Sequence, residues 1–242
     1  MNPTLPTVPP RLAGRVALVT GASRGIGAAV ARCLAAEGAQ LVLVARTVGG
    51  LEAVDDAIRE AGGLPASLIP QDLMDLDRID AIGPAIYQAH GRLDILVGVA
   101  GTLTLTPIAA SDPKSWTQAM TLTVLANARL IGSVDRLLRQ SDAGRAVFLT
   151  DSAAIGQGMP FWGVYAAGKA ALEALVRAYA AEVVRPELRV NLVDPGPVRT
   201  ALRLKAFPGE DRRGLKEPDD VARAILELVS PDCRRHGETI RI

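Results

Sequence analysis

Residues Arg15 to Gly38, RVALVTGASRGIGAAVARCLAAEG, constrain the fold more than any other stretch. The apolar run Val16-Ala17-Leu18-Val19, ending at Thr20, reads as a strand buried on both faces. The loop Gly21-Ala-Ser23-Arg24-Gly25-Ile26-Gly27 follows it. An Ala/Leu-rich segment, Ala28 to Ala36, then reads as a helix stopped by Gly38. Strand, glycine loop and helix together form a cradle for a pyrophosphate. Gly21 permits the sharp turn, Gly25 lets backbone approach phosphate, and Gly27 lets helix pack on strand. Backbone N–H groups and the positive end of the helix dipole face the negative charge. The spacing is G-x-x-x-G-x-G rather than G-x-G-x-x-G, and an ordinary glycine-rich turn fits the same residues.

The chain has 242 residues, 49% of them hydrophobic, which suits one α/β domain with a large core. A net charge of +1 gives no electrostatic case for nucleic acid or an anionic membrane. No apolar run has the length of a bilayer span. Cys33 and Cys233 have no metal-ligand spacing, so no metal is expected, and two cysteines suit a reducing cytoplasm. Residues 1–11 carry four prolines without a secretory h-region and read as a flexible arm ahead of a 12–242 domain.

Along the chain, Gln40–Ala45 reads as a second buried strand ending at Arg46. An acid about 20 residues past the glycines would mark NAD(H) by binding the ribose hydroxyls. None stands there. Arg46 and Arg24 are placed to meet a 2′-phosphate with their planar forks, which points to NADP(H); two solvated arginines are the alternative. A helix is expected over Leu51–Ala61 and a short strand over Ala66–Pro70. Asp72, beside Leu73, lies at the carboxyl end of that strand, where it could accept from an adenine amino group or cap the next helix. That helix is expected over Leu76–Ala89, with His90 as a C-terminal helix residue. A fourth strand, Leu93–Val97, runs into Gly98-Val99-Ala100-Gly101, whose small residues let a ligand lie against backbone. One long helix is expected from Pro113 to Gln140 and a fifth strand from Gly144 to Thr150. Strict β-α alternation calls for a parallel sheet covered by helices on both faces.

After the fifth strand come Asp151-Ser152 and, thirteen residues beyond the serine, Tyr165-Ala-Ala-Gly-Lys169. Tyr165 and Lys169 are four apart in a helix-forming segment and share one face. Tyrosine, with a pKa of about 10, exchanges protons poorly at neutral pH. An ammonium about 4 Å away at an effective dielectric near 20 favours the phenolate by up to about 4 kcal/mol. That is on the order of three pK units and would bring Tyr165 near neutrality. Ser152 could hold a carbonyl oxygen by hydrogen bond. Taken singly, Tyr-x-x-x-Lys is a common surface spacing and Ser152 an ordinary turn residue.

The ordered set Thr20-Gly21-x-x-x-Gly25-Ile26-Gly27, Ser152, Tyr165-x-x-x-Lys169 and Asn191-Leu-Val-Asp-Pro195-Gly196-Pro-Val198-Arg-Thr200 closely resembles the short-chain dehydrogenase/reductase family, from Gly14 to the C-terminus. The resemblance implies a single-domain, doubly wound Rossmann-type sheet of about seven strands. It implies hydride transfer between a nicotinamide and a small-molecule carbonyl or alcohol. Tyr165 would give its proton to the carbonyl oxygen, Ser152 would position that oxygen, and Lys169 would lower the tyrosine pKa and hold the nicotinamide ribose. Pro195, Gly196, Val198 and Thr200 would line the nicotinamide and pyrophosphate, together with Ala100 and Gly101. Residues 197–216, with Leu202, Leu204 and Phe207, would cover the substrate. A homodimer or homotetramer through the long helices is also implied.

Two positions depart from the family pattern. Val99 stands where the family carries an asparagine that braces the sheet. Thr123 aligns with another asparagine, one that holds a water in the proton relay to the lysine, and Asn127 lies one turn further on. A dinucleotide-binding sensor or scaffold without chemistry is the competing class.

Overall fold

The computed structural model describes residues 10–242; the proline-bearing segment 1–9 lies outside them. Arg11, expected within the arm, is fastened: its guanidinium donates to Glu227 at 2.6 and 3.0 Å and its N–H to Glu37. Seven parallel strands run β1 (Val16–Thr20), β2 (Gln40–Ala45), β3 (Ser67–Pro70), β4 (Ile95–Gly98), β5 (Arg145–Leu149), β6 (Arg189–Asp194) and β7 (Thr239–Arg241). Their order across the sheet is β3-β2-β1-β4-β5-β6-β7, so the winding reverses between β1 and β4.

Side chains alternate between two cores, as the pleat requires. Ala17, Val19, Leu41, Leu43 and Val97 enter the layer under α1 (Gly25–Ala36), α2 (Val48–Glu60) and α10 (Pro218–Val229). Leu18, Val42, Val44, Leu96 and Phe148 enter the opposite layer, under α3 (Leu76–Ile79), α4 (Ile82–His90), α6 (Ala126–Gln140) and α8 (Gly163–Glu182). Strands buried on both faces explain the unbroken apolar runs. α5 (Pro113–Met120), α7 (Ser152–Gly156) and α9 (Ala201–Ala206) are the other α-helices among the described residues.

Three expectations are corrected. The helix expected over Leu76–Ala89 is two helices, because Ser133 of α6 enters the break. Its hydroxyl donates to the Asp80 carbonyl at 3.1 Å and accepts from Gly83 N–H at 2.9 Å, satisfying both cut ends. The helix expected as one over Pro113–Gln140 contains a π-turn, Thr121–Leu125. There the Asn127 side-chain amide donates to the Thr123 carbonyl at 2.8 Å. α2 starts at Val48, ahead of the expected Leu51, and its Gly50 packs so closely on Ser23 that an added methyl would lie 2.8 Å from Ser23 Cβ.

The amino ends of β1, β4 and β5 are tied at one buried carboxylate. Asp94, fully shielded, accepts from Val16 N–H, Arg15, Arg92 and Ser141 at 2.6–3.3 Å. Removing Asp94 takes the buried acceptor from Val16 N–H and Ser141 and leaves Arg15 and Arg92 only the exposed Asp142, at a cost of about 3–5 kcal/mol. Asp94→Ala is therefore expected to lower unfolding free energy by about that amount in urea titration. Dinucleotide affinity of the folded fraction is expected to stay unchanged, because the carboxyl ends of the strands lie at the other edge.

Candidate active site

The crevice opens at the carboxyl ends of β1 and β4, where the strand order reverses and neighbouring connections leave on opposite sides. Its floor is backbone against backbone. Gly21 adopts φ +64°, and a methyl there would lie 3.1 Å from Ala100 Cα and N. A methyl on Gly27 would sit 2.3 Å from the Gly21 carbonyl oxygen. Gly25, at φ +56°, has Thr200 of the far wall 3.6 Å from the same imagined methyl. α1 begins with Arg24 in extended backbone and no side-chain cap, leaving its first-turn N–H groups to a ligand. Ser23 and Ile26 are half-buried in the same corner. These residues fit a dinucleotide pyrophosphate.

Arg24 and Arg46 are both exposed at this end. Arg46 Nη1 lies 4.0 Å from Asp72 Oδ2. Asp72 Oδ1 accepts Met74 N–H at 2.9 Å, so it closes a turn; the N-cap of α3 is Asp75. Leu73 is buried in the core and can offer a ligand only its backbone. Val198 is likewise a core residue, packed in the layer of α1 and α10. Pro195, exposed Gly196 (φ +60°) and Thr200 flank the opening, and Thr200 caps α9 through Arg203 N–H at 3.1 Å.

The Tyr165 hydroxyl and Lys169 Nζ lie at the carboxyl end of β5, on Asp151 and Leu149, and Ser152 follows Asp151 as the first residue of α7. Gly101 stands beside them: a methyl on it would lie 4.0 Å from Lys169 Nζ. The Tyr165 hydroxyl does not meet the lysine. It donates to Asp151 Oδ2 at 3.2 Å, while Asp151 Oδ1 accepts Ala154 N–H at 2.9 Å and caps α7. Lys169 Nζ donates to the Leu149 carbonyl at 2.8 Å and lies 5.8 Å from the centre of the tyrosine ring. Asp194, ending β6, accepts Ser152 N–H at 3.3 Å and Gly196 N–H at 3.1 Å.

The expected phenolate beside an ammonium is therefore corrected. Burial first, and then the charge and hydrogen bond of Asp151, hold Tyr165 well above an ordinary tyrosine. Burial brings Lys169 down to about 8 against the pull of Asp151 and Asp194. Neither carboxylate was singled out from sequence. The one available signal was position, since each ends or directly follows a strand at its carboxyl end.

The two departures from the family pattern have local answers. At Val99 the brace passes to Thr20, whose hydroxyl accepts the N–H groups of Val99 and Ala100 at 3.1 and 3.3 Å. Thr123 is buried at the crossing with α8, where a methyl on Gly168 would lie 3.7 Å from its hydroxyl. Asn127 spends its amide on the Thr123 carbonyl and does not turn to the lysine.

Above Tyr165 sits a small apolar cluster of Leu103, Trp162, Met159 and Phe207. α9 is pinned over it by Lys205, which donates to the Leu103 carbonyl at 3.1 Å. Residues 197–216 thus hold the short helix α9.

Residues 15–211 match the short chain dehydrogenase family profile. The chain belongs to the short chain dehydrogenase family. The uncharacterized oxidoreductase YciK of Escherichia coli (strain K12) is 37% identical over 224 residues, covering 91% of this chain and 88% of that protein. The 2,3-dihydro-2,3-dihydroxybenzoate dehydrogenase of Bacillus subtilis (strain 168) is 30% identical, covering 90% and 89%. A short chain dehydrogenase from Escherichia coli CFT073, complexed with NADPH, superposes with a TM-score of 0.91 at 36% identity, covering 97% of this chain and 98% of that one. No described helix of this dehydrogenase-family chain is long and apolar enough to cross a membrane.

Lys169 has a consequence for stability. Between pH about 8 and the ordinary lysine value of 10.5, the unfolded chain holds a proton that the folded chain has released. Stability contributed by this group therefore rises with pH across that window, by on the order of 3 kcal/mol. In denaturant titrations from pH 7 to 10, the wild-type chain is expected to gain on Lys169→Met by that order. Tyr165 and Tyr179, both raised, act in the opposite sense above pH 10 in both proteins and cancel in the comparison.

Proposed function

We propose that this chain is an NADP(H)-dependent oxidoreductase acting on a carbonyl or secondary-alcohol substrate. The observation that supports the reading is the Tyr165 hydroxyl on Asp151, which directly precedes Ser152, with Lys169 Nζ next to Gly101 at the turn that packs on the glycine corner. The dinucleotide, when bound, supplies or accepts the hydride. Tyr165 gives its hydroxyl proton to the carbonyl oxygen. Ser152, at the first position of α7 with its N–H held by Asp194, positions that oxygen. Lys169 holds ribose hydroxyls at the ammonium. Gly21, Ser23, Gly25, Ile26 and Gly27 bind the pyrophosphate through backbone. Thr200, Pro195, Gly196 and the backbone of Val198 close the opposite wall. Asp72 and the Leu73 backbone face the adenine.

The preference for NADP(H) over NAD(H) rests on Arg24 and on Arg46, whose side chain is 65% exposed at the adenosine end. NADPH as bound by the Escherichia coli CFT073 relative supports it. The apolar cover of Leu103, Met159, Trp162 and Phe207, with Leu202 and Leu204 exposed at its edge, favours a substrate with an apolar flank. We place the chain in the cytoplasm as a homodimer or homotetramer through α6 and α8. Leu125, 48% exposed next to α6, is a residue such a contact would cover.

Tyr165→Phe is expected to abolish single-turnover NADPH oxidation against a carbonyl panel while NADPH binding persists. Turnover surviving that change would overturn the proton-donor assignment. Wild-type chain that binds NADPH and oxidises none across the panel would establish the sensor reading instead. Charge-assisted hydrogen bonds contribute about 1.5–3 kcal/mol. Arg24→Ala and Arg46→Ala are each expected to weaken NADPH by roughly tenfold or more, leaving NADH affinity within about twofold, as read by fluorescence titration.

A further inference from the structure

We propose that Asp194 is a positioning residue: its carboxylate clamps the start of α7, at Ser152, to the turn after β6, at Gly196. The hydroxyl that holds the carbonyl oxygen is thereby fixed against the wall that meets the nicotinamide. The inference rests on the roles proposed above for Ser152 and Gly196.

Asp194 is the last residue of β6 and is buried. Each of its carboxylate oxygens has its own partner. Oδ2 accepts the Ser152 N–H at 3.3 Å, and Oδ1 accepts the Gly196 N–H at 3.1 Å. The Gly196 contact is local, two residues along, and closes an Asx-type turn in which Gly196 takes φ +60°. The Ser152 contact joins residues 42 apart in the chain. It crosses from β6 to the neighbouring strand β5, whose end leads into α7.

Hydrogen-bond satisfaction alone does not call for a carboxylate there. Ser152 is half-buried and Gly196 exposed, so water could meet both N–H groups. α7 already has its cap in Asp151, which accepts Ala154 N–H at 2.9 Å. Arg241, 3.8 Å from Oδ2, is largely exposed and offsets the buried charge only weakly. A buried carboxylate is costly unless donors meet it. Here the donors belong to the two walls between which the proposed reaction takes place. The turn is braced from its other side as well: Lys216 donates to the Pro195 carbonyl at 3.1 Å, and a methyl on Gly196 would lie 3.2 Å from Lys216 Nζ.

Asparagine separates the two contacts. It has the size of aspartate but one acceptor oxygen, and its NH2 group cannot accept an N–H. Asparagine suits Asx turns, so its oxygen is expected to stay on Gly196 while the NH2 group faces Ser152.

The test uses Asp194→Asn and Asp194→Ala, each alone and combined with Ser152→Ala. Fluorescence titration reads NADPH affinity, and single-turnover NADPH oxidation with enzyme in excess and a carbonyl from the panel reads the reaction. Asp194→Asn is expected to keep NADPH affinity within about twofold and to slow oxidation roughly tenfold. Asp194→Ala, which has neither acceptor, is expected to weaken NADPH roughly tenfold as well. In the Ser152→Ala background, Asp194→Asn is expected to slow oxidation by less than about twofold, because the side chain it positions is gone. A purely structural Asp194 would lower the unfolding midpoint and leave both readouts of the folded protein unmoved. That result in Asp194→Asn would overturn the proposal. Equal slowing in the Ser152→Ala background would overturn it too, since the carboxylate would then act by its charge on Tyr165 and not through Ser152. Wild-type chain that oxidises no NADPH with any carbonyl would instead defeat the reading beneath the proposal, and the proposal with it.

Discussion

Backbone passes within contact distance of backbone where β1 and β4 part, and the crevice depends on that approach. The Gly21 carbonyl fills the space a methyl on Gly27 would need, and the Ala100 backbone presses on Gly21. A side chain at either glycine would push α1 away from the strand and move its N–H groups off any phosphate. Thr20 completes the junction by accepting two N–H groups from the turn after β4. One hydroxyl therefore ties the glycine corner to the wall that carries Gly101 and Lys169.

Opposite ends of the sheet serve opposite needs. At the amino ends, Asp94 gathers arginines, a serine and a backbone N–H into a buried ionic knot with every acceptor used. At the carboxyl ends, Asp151 and Asp194 also accept N–H groups, but one of them additionally takes a hydroxyl that can react. The chemistry is the same, a carboxylate satisfied by donors. The difference is that the second set borders an open crevice, where a ligand oxygen can compete for the hydrogen bond.

Strand positions and the glycine corner were legible in the sequence, because period, apolar runs and special backbone angles are local properties. The parallel character followed from strict β-α alternation. The break at Asp80 was not legible. It comes from Ser133, fifty residues on, whose hydroxyl satisfies both cut helix ends. The π-turn at Thr121–Leu125 was equally hidden, since no residue type in that stretch sets it apart from ordinary α-helix.

At the site, sequence by itself determined which element carries each residue: helical spacing put Tyr165 and Lys169 on one face of α8, and Ser152 follows the end of β5. Tertiary structure decided what each side chain bonds to. Spacing of four along a helix cannot tell whether an ammonium reaches a phenol or a carbonyl of the strand beneath. Packing of α8 on β5 gave Lys169 the Leu149 carbonyl, and the path of the chain after β5 gave Tyr165 the carboxylate of Asp151. Proton affinity follows the partner and the burial, and both are properties of neighbours that lie far apart in the chain.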